Sequence, residues 1–451
     1  MSVLNSATYE EMLELVKRPS YPVRWKYSCV VITDGVRNDV INLNIYQVKN
    51  DFVNEYYGYH FLTVTVDAVV HRRMLNNLTS LQVELTQTQD ETASVPQTGK
   101  VKSQLFNAKL TDPTNPELMS IQKGGSRDDQ QSQLLGHAEI TLQLIEPFMS
   151  DYRVMEIGGV VRDETVQDVL TVLLGRGLPK VASADLLSDP SYMGLRGVHV
   201  VKPDNTIVHK QLILETGTRL IDLPRLLQDT VGVYTSGLGW HVHRGRCYVF
   251  PKLRYDLFQE DTRTLTILNV PEAEIPTMEK TFLVRSGQLF VFSTGETGHA
   301  DLSEEAIANV GNGLRFIKST DLVNGYHVNT ENKTSFTRTD YVREYLIDER
   351  AQGDNNVKSA KPFFTDNPFN ELSEMTEGLG SRLRVNWDHA EPNLLYPGMQ
   401  VRYMYVHNDE VIQMYGSLIG LHTFAAPTTD RVLDNQYTTS CSLTIHVKRK
   451  A

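Results

Sequence analysis

His241 and His243 are the pair of side chains best spaced to do chemistry. Alternate residues of a strand project to one face, so two imidazoles there are candidate metal ligands. Spacing nominates no third ligand, and a half-exposed hairpin face accounts for the pair without a metal. Cys247 sits on the same hairpin among Tyr248, Val249 and Phe250, where a cysteine reads as a small buried apolar residue rather than a reactive thiol. Asp128-Asp129, Glu304-Glu305 and Asp354-Asn355-Asn356 bring acids together. Adjacent acids on a loop point apart, and the calcium-loop pattern is missing, so these read as solvated loop charge.

Ser126 and Ser381 each follow a glycine, yet neither lies in a nucleophile elbow, and no histidine or acid is spaced to activate them. Neither phosphate-cradling glycine pattern occurs, which argues against nucleotide use. The sequons at Asn77 and Asn332 carry meaning only in a secreted chain. The reading is therefore of a protein that is not an enzyme, with no catalytic residue and no cofactor.

The 451 residues exceed one ordinary core and imply roughly two to four domains. Lys and Arg number 44 against 55 Asp and Glu, a formal charge of −11, so a polyphosphate meets net repulsion. Cys29, Cys247 and Cys441 lie far apart, with no zinc or disulfide spacing, which suits a reducing compartment. The stretch from Met1 to Pro22 lacks the apolar core of a signal peptide, and no run of about 18 apolar residues occurs. A chain made in the cytoplasm, soluble and without a membrane partner, is expected.

Several elements must position these residues. Thr8 and Glu11 have capping-box spacing ahead of Met12, Leu13 and Val16, which predicts a helix before Pro19. From Tyr21 to Thr88 apolar residues alternate, as in Leu81, Val83 and Leu85, with a turn at Asp34-Gly35. Residues 89–100 and 124–133 are polar loops, and Ile140, Leu142 and Leu144 resume the alternation. Asp163 then reads as an N-cap for a helix carrying Val166, Val169, Leu170 and Leu173, stopped at Gly175. A second helix fits Asp222 to Val231, with Pro224 in its first turn and Gly232 after it.

Gly239 to His243 and Arg246 to Phe250 flank Arg244-Gly245 as a hairpin, and Phe282 to Arg285 and Gln288 to Ser293 flank Ser286-Gly287 as another. One helical turn fits Glu304 to Ala308. Residues 324–380 are poorly periodic and read as an anchored crossover bearing Phe363, Phe364 and Phe369. Val401 to Tyr405, a turn at Asn408-Asp409, Val411 to His422, and Leu443 to Val447 close a sheet.

The fold class is thus mainly β with α+β insertions: two tube-like antiparallel β-barrels plus a mixed α/β domain. The expected boundaries are an N-terminal helix at 1–20, a first β-barrel with long loops at 21–150, the mixed domain at 151–250, and a second β-barrel with loop insertions at 251–451.

Two stretches carry a family likeness. Asp222 to Trp240, running on through Arg244-Gly245-Arg246-Cys247-Tyr248-Val249-Phe250-Pro251, resembles the helix-then-hairpin segment of baseplate hub proteins from contractile-tailed bacteriophages. So does Leu395-Tyr396-Pro397-Gly398-Met399 leading into Val401 to Val406, and the hub part of type VI secretion spikes is similar. The resemblance implies a homotrimer whose chains each give two barrels to a pseudo-sixfold ring, joining a hexameric tail tube protein to a trimeric central spike protein. It also implies contacts with neighbouring baseplate proteins, a channel that DNA passes without specific binding, and a place in the virion tail baseplate after assembly in the host cytoplasm. An acidic channel wall would suit DNA passage. The alternatives are another tail ring or adaptor protein, a tail-tip cell-wall hydrolase, and a carbohydrate-binding receptor protein with Trp240, Trp387 and the many tyrosines as stacking platforms, although Trp25, Trp240 and Trp387 each sit where core packing explains them as well.

Overall fold

The computed structural model describes residues 25–89, 101–111, 137–178, 194–252, 264–270, 281–285, 287–293, 296–299, 313–318, 341–347, 359–360, 381–407, 410–428 and 436–449. The helix expected at 1–20, the loops at 90–100 and 124–133, the turns at Glu304 to Ala308 and Asn408-Asp409, and most of 324–380 lie outside them.

The first strands are β1 (Trp25–Thr33), β2 (Val36–Asp39), β3 (Asn42–Asp51), β4 (Tyr59–Asp67), β5 (Gln82–Gln89), β6 (Val101–Leu110) and β7 (His137–Ile145). Their alternation places one set of side chains in a core: on β1, Trp25, Tyr27, Cys29, Val31 and Thr33 are buried while Lys26 and Ser28 face out. A helix over Ala68–Asn76, which period-two reading passed over, interrupts the series. Asp67 caps it, its carboxylate accepting from the Val69 N–H, and His71 and Met74 turn inward.

The middle of the chain forms β8 (Glu156–Val161), β9 (Glu164–Thr165), β10 (Gly197–Val200), β11 (Val208–His209), β12 (Leu212–Arg219), β13 (Leu238–His243) and β14 (Arg246–Pro251). Three helices join them, at Pro147–Tyr152, Val166–Leu174 and Leu223–Thr230. The expected cap moves: Thr165, not Asp163, caps the second helix, its hydroxyl accepting from the Asp168 N–H. Asp163 instead takes a positive φ of 55° in the turn between β8 and β9, a conformation Asp tolerates through its short polar side chain. Asp222 likewise gives its carboxylate to Arg219 at 2.7 Å rather than to the next helix. Val166, Val169, Leu170 and Leu173 pack with Tyr152, Trp240, Val242 and Cys247 into a core of their own.

The remaining strands are β15 (Leu265–Asn269), β16 (Phe282–Arg285), β17 (Gln288–Ser293), β18 (Glu296–His299), β19 (Gly313–Lys318), β20 (Tyr341–Ile347), β21 (Ser359–Ala360), β22 (Ser381–Trp387), β23 (Gln400–His407), β24 (Glu410–Pro427) and β25 (Gln436–Arg449). β19, β20 and β21 form a small sheet apart.

One closure is written into the pairing of the main sheet, and a second ring is brought round by side chains. The order β24-β3-β4-β7-β6-β5-β1-β25 returns on itself because β25 also pairs with β24, giving an antiparallel ring. The order β16-β17-β15-β23-β24-β25-β22-β18 curls until Phe282 and Trp387 meet edge to face, ring centroids 5.5 Å apart. There the Trp387 indole N–H donates to the Thr281 hydroxyl at 3.0 Å. In this second ring β15 runs parallel to both β17 and β23, a departure from the antiparallel expectation. Its Leu265, Thr266, Ile267 and Leu268 are all buried, as parallel strands covered on both faces require.

β24 and β25 belong to both rings. The N-terminal part of β24 pairs with β23 and its Gly420–Ala425 stretch with β3, while β25 meets β1 at Gln436 and Tyr437 and β22 from Cys441 to Val447. The register shifts between Leu418 and Gly420, where β24 passes from one ring to the other. The ring built on residues 25–145 therefore borrows two walls from the end of the chain, which the expected division at 251–451 did not provide for. No helix among the described residues is long and apolar enough to cross a membrane.

Candidate functional site

The β13–β14 hairpin is where the sequence placed its candidates, and its tip reaches into the first ring. Arg244 (φ 51°) and Gly245 (φ 71°) make the two-residue turn. Backbone bonds tie the hairpin to the segment after β3: the Val242 N–H donates to the Tyr56 carbonyl at 2.7 Å. From the neighbouring helix, Arg225 donates to the Asn54 carbonyl at 2.9 Å.

His241 is fully buried, its Nδ1 2.7 Å from the Glu55 carbonyl and its Nε2 3.3 Å from the Asn50 Oδ1. Burial pushes its pKa down to about 4, so the ring is neutral and Nδ1 carries the proton that Glu55 accepts. Nε2 is then an acceptor and needs a donor from Asn50, whose Nδ2 is buried without a partner. Rotating the Asn50 amide by half a turn satisfies both groups. His241 is thus a core histidine with both nitrogens committed.

His243 shares the face, as alternation predicted, and both rings pack against Phe52 with centroids at 4.9 and 6.0 Å. Burial first, and then the charge of Arg244, holds its pKa well below the ordinary value. Among the described residues no three His, Cys, Asp or Glu are grouped to hold a metal ion. Cys247 is wholly buried 3.5 Å from the Tyr152 hydroxyl, and burial pushes its thiol up to about 12, far from a reactive thiolate.

Sequence reasoning missed Glu146, the residue at which the chain leaves β7 for the mixed unit. It is 5% exposed, its Oε1 accepts from Gln104 Nε2 at 2.7 Å, and its N–H donates to the Tyr57 hydroxyl at 3.1 Å. Burial raises its carboxyl to about 7, against the Gln104 bond, the charges of Arg196 and Arg244, and the Gly245 N–H, all of which lower it. Beside it His60 stacks on Tyr57 with centroids 5.6 Å apart and bonds the Tyr46 hydroxyl at 3.0 Å, and burial drives its pKa down to about 3. The Arg244 side chain keeps solvent contact while its charge feels Glu391, Tyr248, Tyr46 and Glu146. A lone acid between Ile145 and Pro147 has no sequence signal of burial; Glu146 followed by Pro147 reads only as a helix start.

The two segments that carry the family likeness meet on the other side of this hairpin. The Tyr248 and Tyr396 rings stack at 6.2 Å with 20° between their planes, and Phe250 lies against both Gly239 and Gly398. The site's chemistry is that of a joint: neutral imidazoles, a buried carboxyl and close-packed rings that hold a mixed unit on two β-rings.

No known protein family matches the chain, and no curated protein matches it. Solved structures do. The tail protein from Neisseria meningitidis MC58 is similar over 93% of this chain and 96% of its own, with 12% identity and a TM-score of 0.43. The 43 kDa tail protein of prophage MuSo2 from Shewanella oneidensis is similar over 94% and 99%, with 9% identity and a TM-score of 0.42. A chain of the Francisella PdpA-VgrG complex is similar over 98% of this chain but 55% of its own, with 8% identity and a TM-score of 0.42. Phage tail and baseplate proteins and type VI secretion components are therefore what the chain is similar to.

Proposed function

We propose that the chain is a structural hub of a tail baseplate, a homotrimer that joins a sixfold tail tube to a threefold central spike. The observation that supports this reading is the sharing of β24 and β25 by two rings. Strands common to both fix the rings relative to each other, so one chain presents two β-walls as a rigid pair. Three such chains offer six walls to a sixfold partner and three identical faces to a threefold one, a symmetry adaptor that needs no chemistry. The partners are the tail tube protein on one side, the spike protein on the other and neighbouring baseplate proteins around the rim, with DNA passing the centre unread. Placement in the virion tail follows from that role.

Mass in solution by light scattering, with negative-stain microscopy, tests it. Trimers, or trimeric rings with a central hole, are expected alone or on mixing with tube and spike proteins. A monomer that stays monomeric with both partners overturns the reading.

A further inference from the structure

We propose that the outward face of the shared strands is a track for the phosphate backbone of double-stranded DNA, held by charge and blind to sequence. On β25 the core residues Leu443, Ile445 and Val447 alternate with Ser442, Thr444, His446 and Lys448, which lie on the opposite face. Strand pairing extends each of these four positions into a row across the sheet. The Ser442 row reaches Lys49 through His422, the Thr444 row holds Arg384, the His446 row holds Arg382, and the Lys448 row reaches Arg402 through Tyr415. Every row thus carries a cation, and successive rows stand about 7 Å apart. Lys26 beside Gln436 extends the series along β25. Lys26, Lys49 and Arg384 are exposed, and the other cations are half-buried. Among the described residues of these rows the one acid is Asp51, whose carboxylate already accepts from the Val53 and Asn54 N–H groups, with Glu55 close by.

The company these cations keep selects the ligand. Asn386, Ser442, Thr444 and Gln47 stand among them, and the exposed large hydrophobics, Phe424 and Tyr59, lie at the margin. A protein partner is recognised through a lysine-poor, apolar centre, whereas hydroxyls and amides among Lys and Arg are what holds phosphate oxygens. The Arg384 Nε donates to the Ser442 Oγ at 2.6 Å, which orients the guanidinium. A formal charge of −11 does not forbid the contact. At about 0.1 M salt, charges more than roughly 10 Å apart are screened, so phosphates at this face meet its cations first. The face reverses the acidic wall expected from the sequence. Its place along the channel rests on the hub reading, and contacts to phosphate alone leave DNA able to slide.

The test is the fluorescence anisotropy of a labelled duplex of about 30 base pairs, near three helical turns, titrated with the full chain. Wild-type affinity is expected to fall about a hundredfold between about 50 and 200 mM salt, as roughly four neutralised phosphates require, whatever the duplex sequence. K49E/R384E should weaken binding at least about tenfold at the lower salt. R72E/R73E, an equal change of net charge at exposed positions of the helix over Ala68–Asn76, should leave it unchanged. No duplex binding, equal weakening by both variants, or equal competition by polyglutamate, which would mark an acidic protein as the occupant, overturns the track. Should K49E/R384E fail to fold, K49Q/R384Q carries the same comparison against R72Q/R73Q. A chain that trimerises without binding the duplex overturns the track and leaves the hub reading standing. Duplex binding by a chain that stays monomeric with tube and spike proteins does the reverse.

Discussion

The Phe250 ring stands so close to Gly398 that a Cβ on that glycine would lie 2.3 Å from Cδ2 of the ring. The same ring crowds Gly239, where an added Cβ would also meet it at 2.3 Å. One aromatic side chain is therefore clamped between a glycine of the hairpin and a glycine of the segment leading into β23. Neither neighbour can grow.

Gly398→Ala combines that overlap with a positive φ of 71°, so the ring must leave its place and the backbone must strain. A loss of about 2 to 4 kcal/mol is expected. Gly35→Ala is the control, since its φ of 75° is equally unfavourable while nothing lies within 4 Å of its added Cβ. It should cost about 1 kcal/mol. Urea unfolding of the two variants separates strain from crowding, and equal losses would show that Phe250 moves freely.

His241 sets a second expectation, one of sign. Its folded pKa of about 4 lies below the ordinary 6.5, so the native state takes up its proton less readily than the unfolded chain does. The stability it contributes is complete above 6.5 and is lost as pH falls toward 4, a loss on the order of 3 kcal/mol. H241Q keeps a donor for Glu55 but cannot titrate. The unfolding free energy of wild type should fall more steeply than that of H241Q between pH 6.5 and 4.5, and parallel curves would mean that the ring takes up its proton as readily in the fold as in the unfolded chain.

Local structure was legible where short-range chemistry fixes it. The hairpin around Arg244-Gly245 lies where alternation and a turn pair put it, because a two-residue turn requires positive φ at both positions and Arg-Gly supplies it at one easy and one tolerated site. The helix over Val166–Leu174 has the predicted inward face, but its cap was misplaced since Asp163 and Thr165 are both competent N-caps and only the turn after β8 chooses between them. The helix over Ala68–Asn76 was invisible because Val69, Val70 and the preceding strand continue an apolar pattern of period two. Ring sharing was beyond any local pattern: Phe424 and Gln47 pair across 377 residues of sequence, and Glu146 is defined by neighbours from four separate segments.

Gly416 tests the shared strands directly. A Cβ there would lie 1.8 Å from the His446 carbonyl oxygen and 2.8 Å from the Val447 Cα, both backbone atoms of β25 that cannot rotate away. Gly416→Ala must therefore push β24 and β25 apart close to the register shift at Leu418 and Gly420, where one ring hands over to the other. A loss of at least about 3 kcal/mol is expected, more than at Gly398, where the obstacle is a side chain. The readout that distinguishes shared strands from two independent rings is cooperativity. If β24 and β25 carry both rings, tryptophan fluorescence in a W240F background, which leaves Trp25 in the first ring and Trp387 in the second, should report one transition displaced as a whole, with W25F and W387F versions of the variant shifting by the same amount. If only one of the two reporters moves, the rings fold separately and the strands join them without coupling them.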